Sequence, residues 1–276
     1  MRLKNAVLAS YTVLLYPWYM KSISFVSWNV NGIRAAEKKG FLDWFHASNA
    51  DIVAVQETKA HVDQLSDELI HPKGYESYWS SAVKSGYSGT AVYTKQSPIF
   101  AETNFGDPFL DGEGRIVLLE FDDFYFFNVY FPNGGSGEER LAFKLEFYSR
   151  FLKLIEAYRK RKPIVFCGDV NTAHKEIDLA RPKQNESTSG FLPIERKWID
   201  AIVKKGYVDT FREFEKEGEH YTWWDMKTRS RDRNVGWRID YFFVSAELKK
   251  NISKTWIYSN ILGSDHCPVG LKLTFK

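Results

Sequence analysis

The sequence predicts an α/β fold, and a faint internal echo fits two similar sheet halves packed face to face with helices outside. Strand-type and helix-type hydrophobic periods alternate along the 276 residues, with no linker, low-complexity tract or charge block between them. Short acidic and amide motifs stand at the ends of apolar runs: WNVN (28–31), QETK (56–59), GDVN (168–171), RID (238–240) and GSDH (263–266). If the strands before them share one sheet system, the motifs gather at one rim. A brief internal echo adds the symmetry, because Asn29-Val30-Asn31 and Asp169-Val170-Asn171 each follow a strand about half a chain apart.

The elements follow in order. Residues 22–27 form a first strand and 51–55 a second, nearly uniform apolar one. Between them 34–48 reads as a helix with Leu42 and Phe45 on its apolar face. Residues 88–94 form a strand, and 114–121 and 124–129 form two more, joined by a tight Asp122-Asp123 turn. The longest helix is 138–158: Leu141, Leu145, Tyr148, Leu152 and Ile155 keep the helical period, and Ser136 with Glu139 makes a capping box. After the strand 163–167 comes a helix at 193–205, stopped by Gly206. A weaker strand surrounds Trp237, a buried one spans 239–245, and Val269, Leu271, Leu273 and Phe275 alternate in a half-exposed last strand. Residues 178–190 and the Arg-dense 225–236 are long loops of the kind that carry binding.

Composition sets bounds. With 44% hydrophobic and 26% charged residues the chain can bury a large core, and most of its 9 Trp and 21 Phe belong there. A net charge of +3 permits a basic face without establishing one. Cys167 and Cys267, the two cysteines, have neither disulfide-framework nor zinc spacing and fit a reducing interior. At the start, Arg2 and Lys4 precede an apolar stretch at 6–15, the opening of a signal peptide. No small-residue cleavage site follows, and the stretch is too short to span a bilayer. Residues 1–19 are therefore read as an upstream extension, and 20–276 as one catalytic domain.

Carboxylates gathered with side-chain amides suit a hard cation such as magnesium, and one His beside an Asp suits proton transfer or stabilisation of a phosphoryl oxygen. Together they point to metal-assisted attack of water on a phosphate ester. Each motif also has a plainer reading. Glu57 is either a metal ligand or a solvated acid just past a buried strand. Asp169 and Asn171 either work on water and a phosphate oxygen or form an Asx-turn. Tyr130 and Asn133 end a strand, as core aromatic and turn residue or as phosphate contacts. His266 is an acid/base candidate for which Asp240, at the start of a buried strand, is the economical partner. Arg229, Arg231 and Arg233 are either a solvated run or, lying between YTWW (221–224) and Trp237, a nucleic-acid contact.

From about Lys21 to the C-terminus the chain resembles the exonuclease III family of apurinic/apyrimidinic DNA endonucleases. The blocks SWNVNGIRA, QETK, GYSGTAVYTK, EGR, YFPN, CGDVNTAH, YTWW, RNVGWRIDYFFVS and GSDHCPV carry the resemblance in order. It implies a four-layered αββα sandwich of two mixed β-sheets with helices outside. It also implies Mg²⁺-dependent hydrolysis of the phosphodiester 5′ to an abasic site, leaving a 3′-hydroxyl, with 3′-phosphodiesterase and 3′→5′ exonuclease side activities. Mn²⁺ is an acceptable substitute. By matching motif, Glu57 is the main metal ligand, with Asn31 and Asp265 beside it and Asp169 and Asn171 completing the set. Asp169 activates water, Asn171 helps hold the phosphate, and His266, oriented by Asp240, stabilises transition-state charge. Tyr130, Asn29 and Asn133 complete phosphate binding, and Trp223, Trp237 and Ile239 shape a pocket for a flipped-out abasic sugar. The expected partner is double-stranded DNA with abasic sites or blocked 3′ ends, met by an intracellular, cytoplasmic monomer without a membrane. The rival readings are a phosphatase or phosphodiesterase of the same superfamily on lipid or RNA, and a non-catalytic DNA-binding relative. The sequence departs from some relatives in having Asn rather than Asp at 31, no Arg in the Gly134-Gly135-Ser136-Gly137 loop, and Thr rather than Asn at 188.

Overall fold

A computed structural model describes residues 21–275; the extension read at 1–19 lies outside the described residues. In chain order the strands are β1 (Lys21–Asn29), β2 (Ile52–Gln56), β3 (Glu76–Ser80), β4 (Thr90–Thr94), β5 (Phe100–Glu102), β6 (Ile116–Glu120), β7 (Tyr125–Val129), β8 (Ile164–Asp169), β9 (Tyr207–Asp209), β10 (Asp240–Ser245), β11 (Ile252–Ile257) and β12 (Val269–Phe275). The α-helices are α1 (Ile33–Glu37), α2 (Phe41–Ser48), α3 (Asp67–Ile70), α4 (Pro108–Asp111), α5 (Glu138–Arg159), α6 (Pro182–Asn185), α7 (Pro193–Lys204) and α8 (Thr210–Phe214).

The strands make two six-stranded sheets, ordered β11-β12-β1-β2-β4-β3 and β5-β6-β7-β8-β10-β9. Each has one parallel pair at its centre, β1 with β2 and β7 with β8, and antiparallel neighbours on both sides. Read from β11 and from β9, the two patterns coincide, and the echoed motifs end the equivalent strands β1 and β8.

Three stacked cores make four layers. Along β8, Ile164 and Phe166 face α5 and α7, meeting Phe147, Phe151 and Ile199, while Val165 and Cys167 face the other sheet. Along β2, Val53 and Val55 face α1 and α2, meeting Ile33 and Phe45, while Ile52 and Ala54 face inward. Successive side chains point to opposite faces and both faces are covered, so these strands read as continuous apolar runs. A polar link crosses between the sheets: the Asn128 amide donates to the carbonyls of Val55 (2.9 Å) and Ala91 (2.8 Å), and Gln56 donates to Asn128 Oδ1 (2.7 Å).

Several elements differ from the sequence reading. The helix at 34–48 is two helices, because Gly40 adopts φ 90° and starts α2 afresh. On α5 no capping box forms: Gly137, at φ 108°, is the N-cap and leaves Ser136 one residue too early. The face of α5 turned inward carries Lys144, Phe147, Tyr148, Phe151 and Ile155, with Leu145 and Leu152 at its margin. The Trp237 segment makes only isolated bridges, to Leu179 and Trp223. The strands absent from the sequence reading, β3, β5, β9 and β11, are the four sheet edges. Edge strands pair on one side only and carry mixed, half-exposed residues, so they lack the apolar signature of the centre.

Candidate active site

The parallel strands β1 and β2 of one sheet, and β7 and β8 of the other, end at one rim, and the polar residues that end them converge there. Two Asx-turns face each other. Asn29 Oδ1 accepts from the Asn31 amide (3.0 Å), Asp169 Oδ1 accepts from the Asn171 amide (2.8 Å), and Asn31 and Asn171 sit at φ 48° and 54°. The echo seen in the sequence is thus one conformation used twice, and for Asp169 the turn and the functional reading are compatible: the turn aims the carboxylate. The two turns meet where the fully buried Asn29 donates from Nδ2 to Asp169 Oδ2 (2.9 Å) and Glu57 Oε2 (3.0 Å). Gly168 lies within β8, where Asp169 still pairs with Asp240. Its φ of 135° brings the Val129 carbonyl to where a Cβ would sit 1.9 Å away, so only glycine fits.

Glu57 occupies the left-handed region at φ 57°, a costly conformation for glutamate. The amide of Gly32 donates to its carbonyl (2.8 Å), and Thr58 is tied to Gly89 (3.1 Å). The Lys59 ammonium lies between Glu57 Oε1 (2.9 Å) and Asn31 Oδ1 (2.5 Å). Asn31 donates to Asp265 Oδ1 (2.9 Å), and Trp223 Nε1 donates to Asp265 Oδ2 (3.0 Å). Burial works against ionised Asp265, but His266, Asn31 and Trp223 outweigh it and hold its carboxyl below the usual range. This corner offers only hard oxygen donors, from Glu57, Asn31 and Asp265, and it already draws a positive charge. It therefore fits a hard divalent cation.

A second cluster adjoins it. His266 Nδ1 is 2.8 Å from Asp240 Oδ2, the partnership the sequence suggested, and Nε2 lies 3.7 Å from Asp169 Oδ2. Burial disfavours the imidazolium, yet Asp240, Asp169 and Asp265 raise the ring's pKa to about 10. A charged ring donates from Nδ1 to Asp240 and turns its Nε2–H toward Asp169. Burial raises the Asp169 carboxyl, with Asp240 adding to it and His266 opposing it. The Tyr130 hydroxyl is pushed well above its ordinary range by burial and by Glu57 and Asp169, so it stays a protonated donor. Arg115 stacks on the Tyr130 ring at 4.7 Å and donates to its carbonyl (2.7 Å). Asn171 spends its amide hydrogens on the Phe131 carbonyl (2.9 Å) and Asp169 (3.2 Å), and its oxygen accepts from Asn133 (2.9 Å).

These groups floor a cleft of about 420 Å³. Asn31, Glu57, Tyr130, Asn133, Asp169, Asn171, Trp223, Trp237, Ile239, Asp265 and His266 all line it, with Asn29 and Asp240 directly behind. Trp223 and Trp237 meet edge to face, centroids 6.4 Å apart, and exchange backbone hydrogen bonds of 2.9 Å. The arginines of 225–236 do not line the cleft. Arg231 stacks on Trp224 and donates to the Ser259 and Ile261 carbonyls, Arg229 pairs with Asp232, and Arg233 donates to the Thr228 carbonyl. Sequence reasoning missed Lys59 as a neighbour of the oxygen-donor corner and Ser189-Gly190 as a wall. Lys59 belonged to the QETK block and so carried a signal; Thr188 stood out as a departure from the Asn of relatives, while Ser189 and Gly190 lay in a loop legible only as polar.

A sandwich whose two sheets each bring a carboxylate to one rim, beside a protonated His and a hard-cation corner, defines a hydrolase built for anionic esters. The sequence profile of the endonuclease/exonuclease/phosphatase family matches residues 26–266. An exodeoxyribonuclease of Bacillus subtilis is 43% identical over 248 residues, covering 89% of this chain and 97% of that one. A DNA-(apurinic or apyrimidinic site) endonuclease of Dictyostelium discoideum is 40% identical over 251 residues, 89% of this chain and 69% of its own. Among solved structures, the APE2 catalytic domain of Xenopus laevis superposes with a TM-score of 0.81 at 31% identity over 92% of this chain and 93% of that one. The fold is shared by a 3′ phosphatase from Neisseria bound to product DNA hairpin, with a TM-score of 0.84 at 23% identity over 92% and 100% of the two chains. The chain belongs to the endonuclease/exonuclease/phosphatase family, in its branch of exodeoxyribonucleases and apurinic/apyrimidinic endonucleases. It is accordingly a phosphodiester hydrolase, a nuclease of DNA repair.

Proposed function

We propose that the chain hydrolyses the phosphodiester on the 5′ side of an abasic site in double-stranded DNA, leaving a 3′-hydroxyl, with Mg²⁺ as its metal. Blocked 3′ ends are a second substrate class. The reading rests above all on Asp169: a buried carboxylate of raised pKa, held by Asn29 and Asn171 and facing a protonated His266 at 3.7 Å. Asp169 takes the proton of the attacking water. His266, kept charged by Asp240, donates from Nε2 to a phosphoryl oxygen as negative charge grows there, and the Tyr130 hydroxyl donates beside it. Asn171 aims Asp169. Glu57, with Asn31 and Asp265, would hold the metal ion, whose charge offsets that of the phosphate. Lys59, which bridges Glu57 and Asn31, would compete with the ion for those two oxygens.

Trp223, Trp237 and Ile239 supply aromatic and apolar walls that accept a base-less sugar and obstruct one bearing a base. No described helix is long and apolar enough to cross a membrane, and both cysteines are free and buried. Free, buried thiols fit a reducing compartment. The test is a duplex carrying one abasic analogue, with its undamaged counterpart, in Mg²⁺ or EDTA. A single incision 5′ to the analogue, in Mg²⁺ alone, is expected. Equal cutting of both duplexes, or cutting in EDTA, overturns the reading.

A further inference from the structure

Behind the cleft lies an ion pair that the chemistry above does not use. Lys144 of α5 and Glu195 of α7 are both fully buried, with Nζ 2.6 Å from Oε1. Taking two charges out of water is expensive, and a pair of apolar residues often serves stability equally well. What the pair touches therefore matters. The other two ammonium hydrogens of Lys144 go to the Asn171 carbonyl (2.7 Å) and Thr172 Oγ1 (2.9 Å), within the turn that aims Asp169. The Glu195 carboxylate accepts from Ser189 Oγ (2.9 Å), the Gly190 amide (2.6 Å) and the Leu192 amide (3.1 Å). Ser189 and Gly190 are the cleft wall. Apart from the Leu192 amide, the N-cap of α7, every bond of the pair thus ends on the Asp169–Thr172 segment, on the wall or on the pair itself.

The wall sits close to what it must shape. A Cβ on Gly190, which adopts φ 98°, would come within 3.2 Å of the Trp237 ring, and its carbonyl accepts from Ala173 (2.8 Å). Gly134, just past Asn133, packs on the same structure: a Cβ there would lie 2.6 Å from Ser189 Oγ and 3.3 Å from the Lys144 stem. We infer that Lys144 and Glu195 are positioning residues that clamp the Ser189-Gly190 wall to the Asp169–Asn171 turn, fixing the width of the cleft beside Trp237 and hence its selectivity for a base-less sugar. The inference rests on the proposed function for its substrate, and on the hydrogen-bond geometry alone for the clamp.

The experiment compares wild type with Lys144→Met, Glu195→Leu and the double variant in three readouts: Tm, amide hydrogen exchange of segments 170–173 and 188–192, and kcat/KM on abasic and intact duplexes below the unfolding transition. Each single variant strands a buried charge and lowers Tm; the double variant removes both charges and regains part of it, because the Gly190 and Leu192 amides and the Asn171 carbonyl stay unpaired. The clamp predicts that the double variant nonetheless exchanges faster at Ala173 and Gly190. It also predicts an abasic-to-intact ratio falling by about tenfold to a hundredfold, the scale of an ångström of misplacement. A double variant with wild-type exchange and wild-type ratio overturns the inference and makes the pair a matter of stability alone. Should wild type not cut the abasic duplex, the proposed function fails, while the exchange readout still decides for or against the clamp.

Discussion

Replacing Asp178 by Asn tests how the aromatic wall is anchored. Asp178 is 1% exposed and accepts from Arg238 Nε (2.8 Å), from Arg212 (2.6 and 3.1 Å) and from the Lys175 amide (2.9 Å). Arg238, also buried, forks onto Asp209 at 2.7 and 3.2 Å and lies between Trp237 and Ile239 in sequence. Burial alone would raise the Asp178 pKa, but Arg238 and Arg212 outweigh it and lower it from 3.8 to about 2. A difference of about two units is worth roughly 2–3 kcal/mol of folding stability. Because the folded pKa lies below the unfolded one, that stability is fully present above about pH 4 and is lost as pH falls through about 2, with roughly half gone at pH 3. Asp178→Asn should therefore cost about 3 kcal/mol at pH 7, the low end for a broken buried pair, since Arg238 keeps Asp209. Urea unfolding of both proteins at pH 7, 5 and 3 gives the difference directly, cancelling the other carboxylates. A difference that stays constant from pH 7 to 3, or is below about 1 kcal/mol throughout, refutes the account.

Glu57→Gln should leave the fold intact and weaken Mg²⁺ binding, read by calorimetry and by the Mg²⁺ concentration needed for half-maximal cleavage; an unchanged metal requirement removes Glu57 from the metal corner. Asp169→Asn and His266→Ala should each slow single-turnover cleavage by at least about a hundredfold while abasic DNA still binds. Variants that bind poorly but cut normally at saturation would mark the pair as binding residues. Trp237→Ala should lower the ratio of kcat/KM on abasic over intact duplex, since selectivity is a difference in transition-state binding; lower Tm with an unchanged ratio would mean the ring only packs.

The site was legible because polar residues are conspicuous at the ends of strands buried on both faces. Asn29, Glu57, Asp169 and Asp240 each break or follow a continuous apolar run, and His266 immediately precedes the alternating strand β12. Lys144 and Glu195 were not legible, because a Lys or Glu on a helix is ordinary in sequence. The faint signal for Lys144 is its place one turn before Phe147 and Tyr148, on the aromatic stripe of α5. The edge strands β3, β5, β9 and β11 escaped because pairing on one side leaves no uniform pattern. The Arg-dense loop drew attention by charge, but the fold uses Arg231 to close carbonyls at 259 and 261. Charge density in a sequence does not distinguish a cation offered to a ligand from one consumed by the backbone.

The pairing of the two sheets explains why the candidate site needs so little of the chain. In a sheet with one parallel pair at its centre, two adjacent strand ends leave at the same rim, and that rim is where ligands are met. Packing a second such sheet face to face places four strand ends around one cleft. Each sheet then contributes an Asx-turn, and the turns are complementary: the Asn29 amide of one donates to the Asp169 carboxylate of the other. Had both turns carried Asp, two buried carboxylates would have met at hydrogen-bond distance, and one would have had to stay protonated. The Asn in the first sheet and the Asp in the second are therefore complementary, one donating and one accepting. The wall segment, Lys144 and Glu195 fasten the Asp169 turn from the helix side, so it is held from the opposite sheet and from the outer layer at once.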